Sequence, residues 1–248
     1  MHPILNIFLL SLLAGLATGI GGLIAMIGKP GKRLFGFLMG LTAGVMITLS
    51  FLELVNEAWK LSGYLTTTIC FAAGASFMFL IDFFIPHIRF KEKENNVFNS
   101  KLFKTGVLTA IGISIHNIPE GIAVGAGYML APKFGIFVAV AMALHNIPEG
   151  IATALPLCKS GLSKWKSFKV ALFSGLVEPI GALVAALFLI SYVGLIPCAL
   201  AFAGGVMVFI TLDEIVPCAR EYGHHHFTAM GIIIGAIFVF LLAGIFGI

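Results

Sequence analysis

Apolar residues run along this chain in eight stretches of about 20 residues or more, separated by short charged or turn-forming breaks. At about 1.5 Å of rise per residue, each is long enough to cross a hydrocarbon layer as a helix. The pattern predicts spans near 4–27, 34–59, 64–85, 104–130, 134–158, 166–190, 195–216 and 227–247. The fourth and fifth carry the same eight residues, HNIPEGIA, at His116–Ala123 and again at His145–Ala152. The midpoints of these spans fall near residues 117 and 146, so each copy puts a histidine, an asparagine and a glutamate at mid-depth. Polar groups there are costly unless they face a partner, a cavity or an ion.

Composition narrows the class. Of the 248 residues, 59% are hydrophobic and only 10% charged, with a mean hydropathy of +1.06. A soluble domain carries about a quarter charged residues, so the expectation is an all-α integral membrane protein, one domain over 1–248. A net charge of +4 is no nucleic-acid signature. Many glycines and alanines suit close helix approach in lipid. Cys70, Cys158, Cys198 and Cys218 lie in or near apolar stretches without CxxC spacing, and read as buried small side chains rather than ligands or disulfides. Met1–Leu5 lacks a basic start, and the run to Ile27 is long enough to remain as a span, so no cleavable signal is expected.

Charge sets orientation. Thirteen of the fifteen lysines and arginines fall in odd-numbered connections; only Lys60 and Lys133 fall in even ones. The positive-inside rule then puts the odd connections in the cytoplasm and both termini outside. The polar stretch of about 89–103 reads as a short cytoplasmic loop.

The doubled motif carries the chemistry. Histidine and glutamate four apart share a helix face, as His116 does with Glu120 and His145 with Glu149. Ala131–Lys133 is a short connection, so the two helices should be antiparallel neighbours offering two imidazoles and two carboxylates. That donor set suits zinc, iron, manganese or nickel better than magnesium or potassium. Asn117 and Asn146 point about 100° from their histidines, toward a position beside the first. Pro119 and Pro148 remove an amide donor and disturb the carbonyls of Ile115 and Leu144, so each helix should kink and offer backbone oxygen at that depth. One histidine on an apolar helix is more often a packing residue; two copies at mid-depth on adjoining helices favour metal. Glu178, in SGLVEPIG at the centre of the sixth span, is a third buried carboxylate that wants a cation or a donor.

Other polar residues are graded by depth. Glu53 and Glu57, four apart near the outer end of the second span, suit an ion entrance. Asp82 and His87, with Asp213 and Glu214, suit an exit at the inner ends of the third and seventh. Simple interfacial placement competes with each. His224, His225 and His226 read as a solvated cytoplasmic turn able to hold metal loosely.

HNIPEG on two adjoining helices, followed by a glutamate–proline on the next, resembles the ZIP family of divalent-metal transporters, most of all its bacterial ZupT-like and GufA-like branch. The resemblance covers the whole chain. It implies eight transmembrane helices in a 3+2+3 arrangement, with pseudo-symmetric halves around helices four and five. It implies metal movement into the cytoplasm, a homodimer in the bilayer, and an elevator-like motion of helices one, four, five and six. Zinc is the expected substrate, with iron, manganese and cadmium as further candidates, and no catalytic cofactor is expected. A binuclear centre is also implied: His116, Glu120, His145 and Glu149 at one position, Asn117, Asn146, Glu178 and the bridging glutamates at the other. Some members carry aspartate or glutamine where this chain has Asn146 and His145, so the second position here has one fewer negative charge. The long histidine-rich loop of many eukaryotic members is missing; His87, Glu92 and Glu94 alone mark that region. The location expected is a prokaryotic plasma (inner) membrane, with no nucleic-acid partner.

Two other classes compete. An intramembrane zinc protease wants HExxH, which is absent, and a bundle-type di-iron oxidase wants ExxH, which neither motif glutamate begins. A metal-gated channel would use the same ligands.

Overall fold

The computed structural model describes residues 3–28, 31–84 and 100–248. Ten α-helices and no strand occur among them: α1 (Pro3–Ile27), α2 (Lys32–Thr48), α3 (Asn56–Phe84), α4 (Ser100–Leu130), α5 (Pro132–Lys159), α6 (Lys164–Gly175), α7 (Glu178–Ser191), α8 (Ile196–Ile210), α9 (Val216–Tyr222) and α10 (His225–Phe246). Six helical runs among the described residues are long and apolar enough to cross a membrane. One of them, Lys32–Ile81, covers 50 residues and is interrupted at Gly63, whose φ of 76° is open to glycine and strained for other residues. Large aliphatic and aromatic side chains line the outside of α3, α7 and α10, including Leu65, Phe83, Val184, Leu187, Ile233 and Leu241. Water would penalise that surface; a bilayer is its natural solvent.

Two groups of helices pack among themselves: α1, α4, α5, α6 and α7 in one, and α2, α3, α8, α9 and α10 in the other, joined chiefly where α4 meets α8 and α2 meets α5. Glycine draws each group together. Lipid supplies no hydrophobic drive between helices, so attraction rests on close backbone contact, which only small residues allow. A Cβ on Gly21 or Gly150 would overlap the facing backbone of α5 or α1; Gly121 and Gly181 play the same part between α4 and α7. In the second group, Gly40 and Gly231 do so for α2 and α10, and Gly74 and Gly205 for α3 and α8.

Three features depart from the sequence reading, while α4 and α5 stay helical through Pro119 and Pro148 as the apolar pattern predicts. The sixth span is not one helix: the chain breaks at Leu176–Val177, and Pro179 opens α7 in the first turn, where a missing amide donor costs nothing. Two π-helical turns, Leu49–Val55 and Thr211–Ile215, follow α2 and α8 and hold Glu53 and the Asp213–Glu214 pair. Finally, Cys70 of α3 and Cys198 of α8 form a disulfide, which corrects the expectation of small packing residues. Sequence spacing could not show this, because 128 residues separate the two and only the packing of α3 on α8 brings them together.

That disulfide has a simple expected signature. Unfolded in detergent without reductant, the protein takes up two maleimide-polyethylene-glycol labels, on Cys158 and Cys218, and four after reduction. Four labels before reduction would show that Cys70 and Cys198 are free thiols.

Candidate metal centre

The doubled motif lies on α4 and α5, which pack against each other through their centres. His116, Asn117, Glu120, His145, Asn146, Glu149 and Glu178 are all buried, none more than 1% exposed. Within α4 the helical repeat stacks His116 over Glu120, Nε2 to Oε1 at 3.2 Å. The stronger contacts cross between helices. His145 Nε2 lies 2.8 Å from Glu120 Oε1, and His116 Nε2 lies 3.0 Å from Glu149 Oε1. The two motifs therefore interlock, each histidine aimed at the other helix's glutamate.

Beside this pair lies a second set of groups. The Asn117 amide donates to the Ser174 carbonyl on α6 at 2.8 Å. The Asn146 amide donates both to the Ala14 carbonyl on α1, at 3.0 Å, and to Glu178 Oε2 at the start of α7, at 2.8 Å. Ser174 lies just before the break in the sixth span, and Glu178 just after it. The break thus turns both backbone and carboxylate toward α4 and α5. The close contact of Gly121 with the Glu178 carbonyl brings α7 to within one residue of Glu120. Five helices build the centre, although the sequence pattern pointed to three.

These hydrogen bonds leave several buried polar atoms over, the Nδ1 nitrogens of His116 and His145 among them. Asn117 Oδ1, Glu120 Oε2, Asn146 Oδ1, Glu149 Oε2 and Glu178 Oε1 are buried with no hydrogen-bond partner. Each such atom normally costs about 1–3 kcal/mol, and natural proteins keep few of them. Five buried oxygens, all acceptors, call for a cation. Nearby, ligand atoms of His116, Glu120 and Glu149 all lie within 4.8 Å of one another. With metal–ligand bonds of about 2.0–2.2 Å, one ion between them can reach all three after small adjustments. Imidazole with carboxylate is a donor mixture for first-row divalent ions.

The candidate entrance and exit residues separate. Glu53 is buried in the first π-turn, while Glu57 is half-buried and ion-paired with Lys60. Glu214, in the second π-turn, lays its carboxylate against Gly112 of α4, one turn before His116. Its neighbour Asp213 is exposed. Asp82 belongs to α3, but its side chain is outside the described residues, as are His87, Glu92, Glu94 and most of the 89–103 loop. One further side chain was missed by sequence reasoning. Thr42 of α2 donates to the His145 carbonyl at 3.4 Å, tying the second group of helices to the centre. A lone threonine in an apolar span gives no signal of that.

A membrane-embedded helical protein with a buried imidazole–carboxylate centre is the class these features define. The chain belongs to the ZIP family: the family described as "ZIP Zinc transporter" matches residues 89–243. It is 41% identical over 268 residues to a zinc transporter ZupT from Oceanobacillus iheyensis, covering 98% of this chain and all of that protein. A zinc transporter ZupT from Lysinibacillus sphaericus is 42% identical, covering 94% of each chain. Another, from Chlorobium limicola, is 39% identical over 91% of this chain and 92% of its own length. ZIP proteins are transporters, so the metalloenzyme alternative falls away.

Proposed function

We propose that this protein carries zinc across the membrane into the cytoplasm through the buried centre on α4, α5 and α7. The five unpartnered buried oxygens beside two imidazoles carry that reading, because one bound cation would satisfy carboxylate and amide oxygens and neutralise the buried charge together. The named relatives and the ZIP family favour zinc; the donor set also admits iron, manganese and cadmium. His116, Glu120, His145 and Glu149 hold one ion. Asn117, Asn146 and Glu178 complete a second position that shares the two glutamates. Glu53 and Glu57 serve the entrance, and Asp82, Asp213 and Glu214 the exit.

The chain is a single domain of eight spans in a 3+2+3 arrangement. Gly63 divides the run Lys32–Ile81 into two, and Ser100–Leu130 adds one more to the six runs. Both termini face outside, following the lysine and arginine distribution. The Cys70–Cys198 disulfide supports this orientation: both residues lie near the starts of their spans, on the lysine-poor side, where thiols meet an oxidising environment. The glycine contacts within each helix group, and the carboxylate and hydroxyl contacts between them, suit movement of α1, α4, α5, α6 and α7 as one body against the rest. Two copies form a homodimer in the bilayer.

Purified protein in liposomes should accumulate radioactive zinc saturably and without ionic current. Zinc-dependent conductance would make it a channel, and no accumulation above empty liposomes would overturn transport. Orientation has its own check. A cysteine placed at Asn96 should react with a membrane-impermeant maleimide only after cells are opened; labelling of intact cells would reverse the topology.

A further inference from the structure

His224, His225 and His226 stand where α9 gives way to α10, well away from the buried centre in sequence and on other helices. His224 is the N-cap of α10, with extended backbone at φ −127° and ψ 123°. His225 and His226 open α10, so the His224 cap and the first helical turn bring the His224 and His226 rings beside each other. Their ring centres are 5.7 Å apart. Two imidazoles bound to one ion by bonds of about 2.0–2.1 Å have ring centres about 5–6 Å apart at tetrahedral to trigonal angles. The pair is therefore already spaced for a shared metal.

Two contacts hold His224 in place. His224 packs edge-on against Phe227, ring centres 5.4 Å apart, and its backbone nitrogen lies against Gly36 of α2. Its Nδ1 is buried with no hydrogen-bond partner. With Nδ1 closed off from water, an ion meets this ring at its other nitrogen, Nε2.

We propose that His224 and His226 together bind a divalent transition metal, as a shallow two-imidazole site completed by water. Neutral imidazole pairs select zinc-like ions over magnesium or calcium, which want oxygen. Binding is loose for a physical reason. The positive end of the α10 dipole lies at the site, and Arg33 is held nearby over the Phe227 ring at 5.7 Å. Both repel a cation, so an ion is caught briefly and let go. Its use as a landing place for ions leaving the transport path rests on the orientation proposed above; the binding itself does not.

Residue-specific carbethoxylation, read by mass spectrometry on the intact purified protein, tests this without measuring transport. Zinc should slow modification of His224 and His226 in parallel, about tenfold at ten times the dissociation constant, while His225 stays reactive and magnesium has no effect. His226→Gln should abolish zinc protection of His224 while leaving zinc uptake into liposomes measurable. Equal protection of all three histidines, protection by magnesium, or His224 protection surviving His226→Gln would each overturn the site. Failure of uptake with intact His224 and His226 protection would instead count against the transport reading alone.

Discussion

Glu120→Ala and Glu149→Ala each reduce zinc uptake by at least about a hundredfold, roughly 2.7 kcal/mol of lost ion stabilisation. Each glutamate offers one oxygen to a histidine contact and has a second, buried oxygen unpartnered. Removing either takes a full negative charge from a place where little water screens a divalent ion. The remaining carboxylates cannot compensate, because their positions are set by helices packed backbone to backbone. Asn117→Ala is the graded comparison. It removes one neutral oxygen and the hydrogen bond to Ser174, so uptake falls less, by about tenfold. Initial rates of radioactive zinc uptake, normalised to membrane-inserted protein, decide the order. Full activity in either glutamate variant would remove that carboxylate from the ion path and overturn the shared centre.

Gly150→Ala is expected to do comparable damage by another route. Gly150 directly follows Glu149, and an added Cβ would meet the Thr18 carbonyl of α1 before any flexible side chain. Backbone cannot give way as a side-chain tip can, so α1 and α5 must separate, at a cost of about 1–3 kcal/mol or more. Separation also moves Ala14 away from Asn146, and with it the anchor of Glu178. The expected result is a lower melting temperature in detergent together with loss of uptake. Gly244→Ala, with nothing within 4 Å of the added carbon, should leave both unchanged. Equal melting temperatures for the two variants would show that α1 and α5 are not in backbone contact at Gly150.

Much of this was written in local pattern. Apolar runs of membrane-spanning length predicted helices, and the described residues contain helices and no strands. Repetition of HNIPEGIA marked the polar residues that meet at the centre, because a helix repeats every 3.6 residues and mid-span depth can be counted from either end. The sixth span shows where such counting stops. Its hydropathy is continuous through Leu176 and Val177, yet the helix breaks there. Only its packing on α4 and α1 shows why the Ser174 carbonyl and Glu178 are turned inward.

The same limit applies to partners. Helical spacing alone would pair each histidine with the glutamate four residues on in its own helix. The fold keeps that stacking in α4 but sends both histidines across to the facing helix. Nothing in the sequence linked Asn146 to Ala14, Thr42 to the His145 carbonyl, or Cys70 to Cys198. These contacts join residues 103 to 132 positions apart. The sequence by itself determined which segments are helical, which residues are polar at depth, and what family the chain resembles, since these follow from properties a residue shares with its near neighbours. Which donor meets which acceptor was decided only by the tertiary structure, because it depends on how closely glycine lets two distant backbones approach.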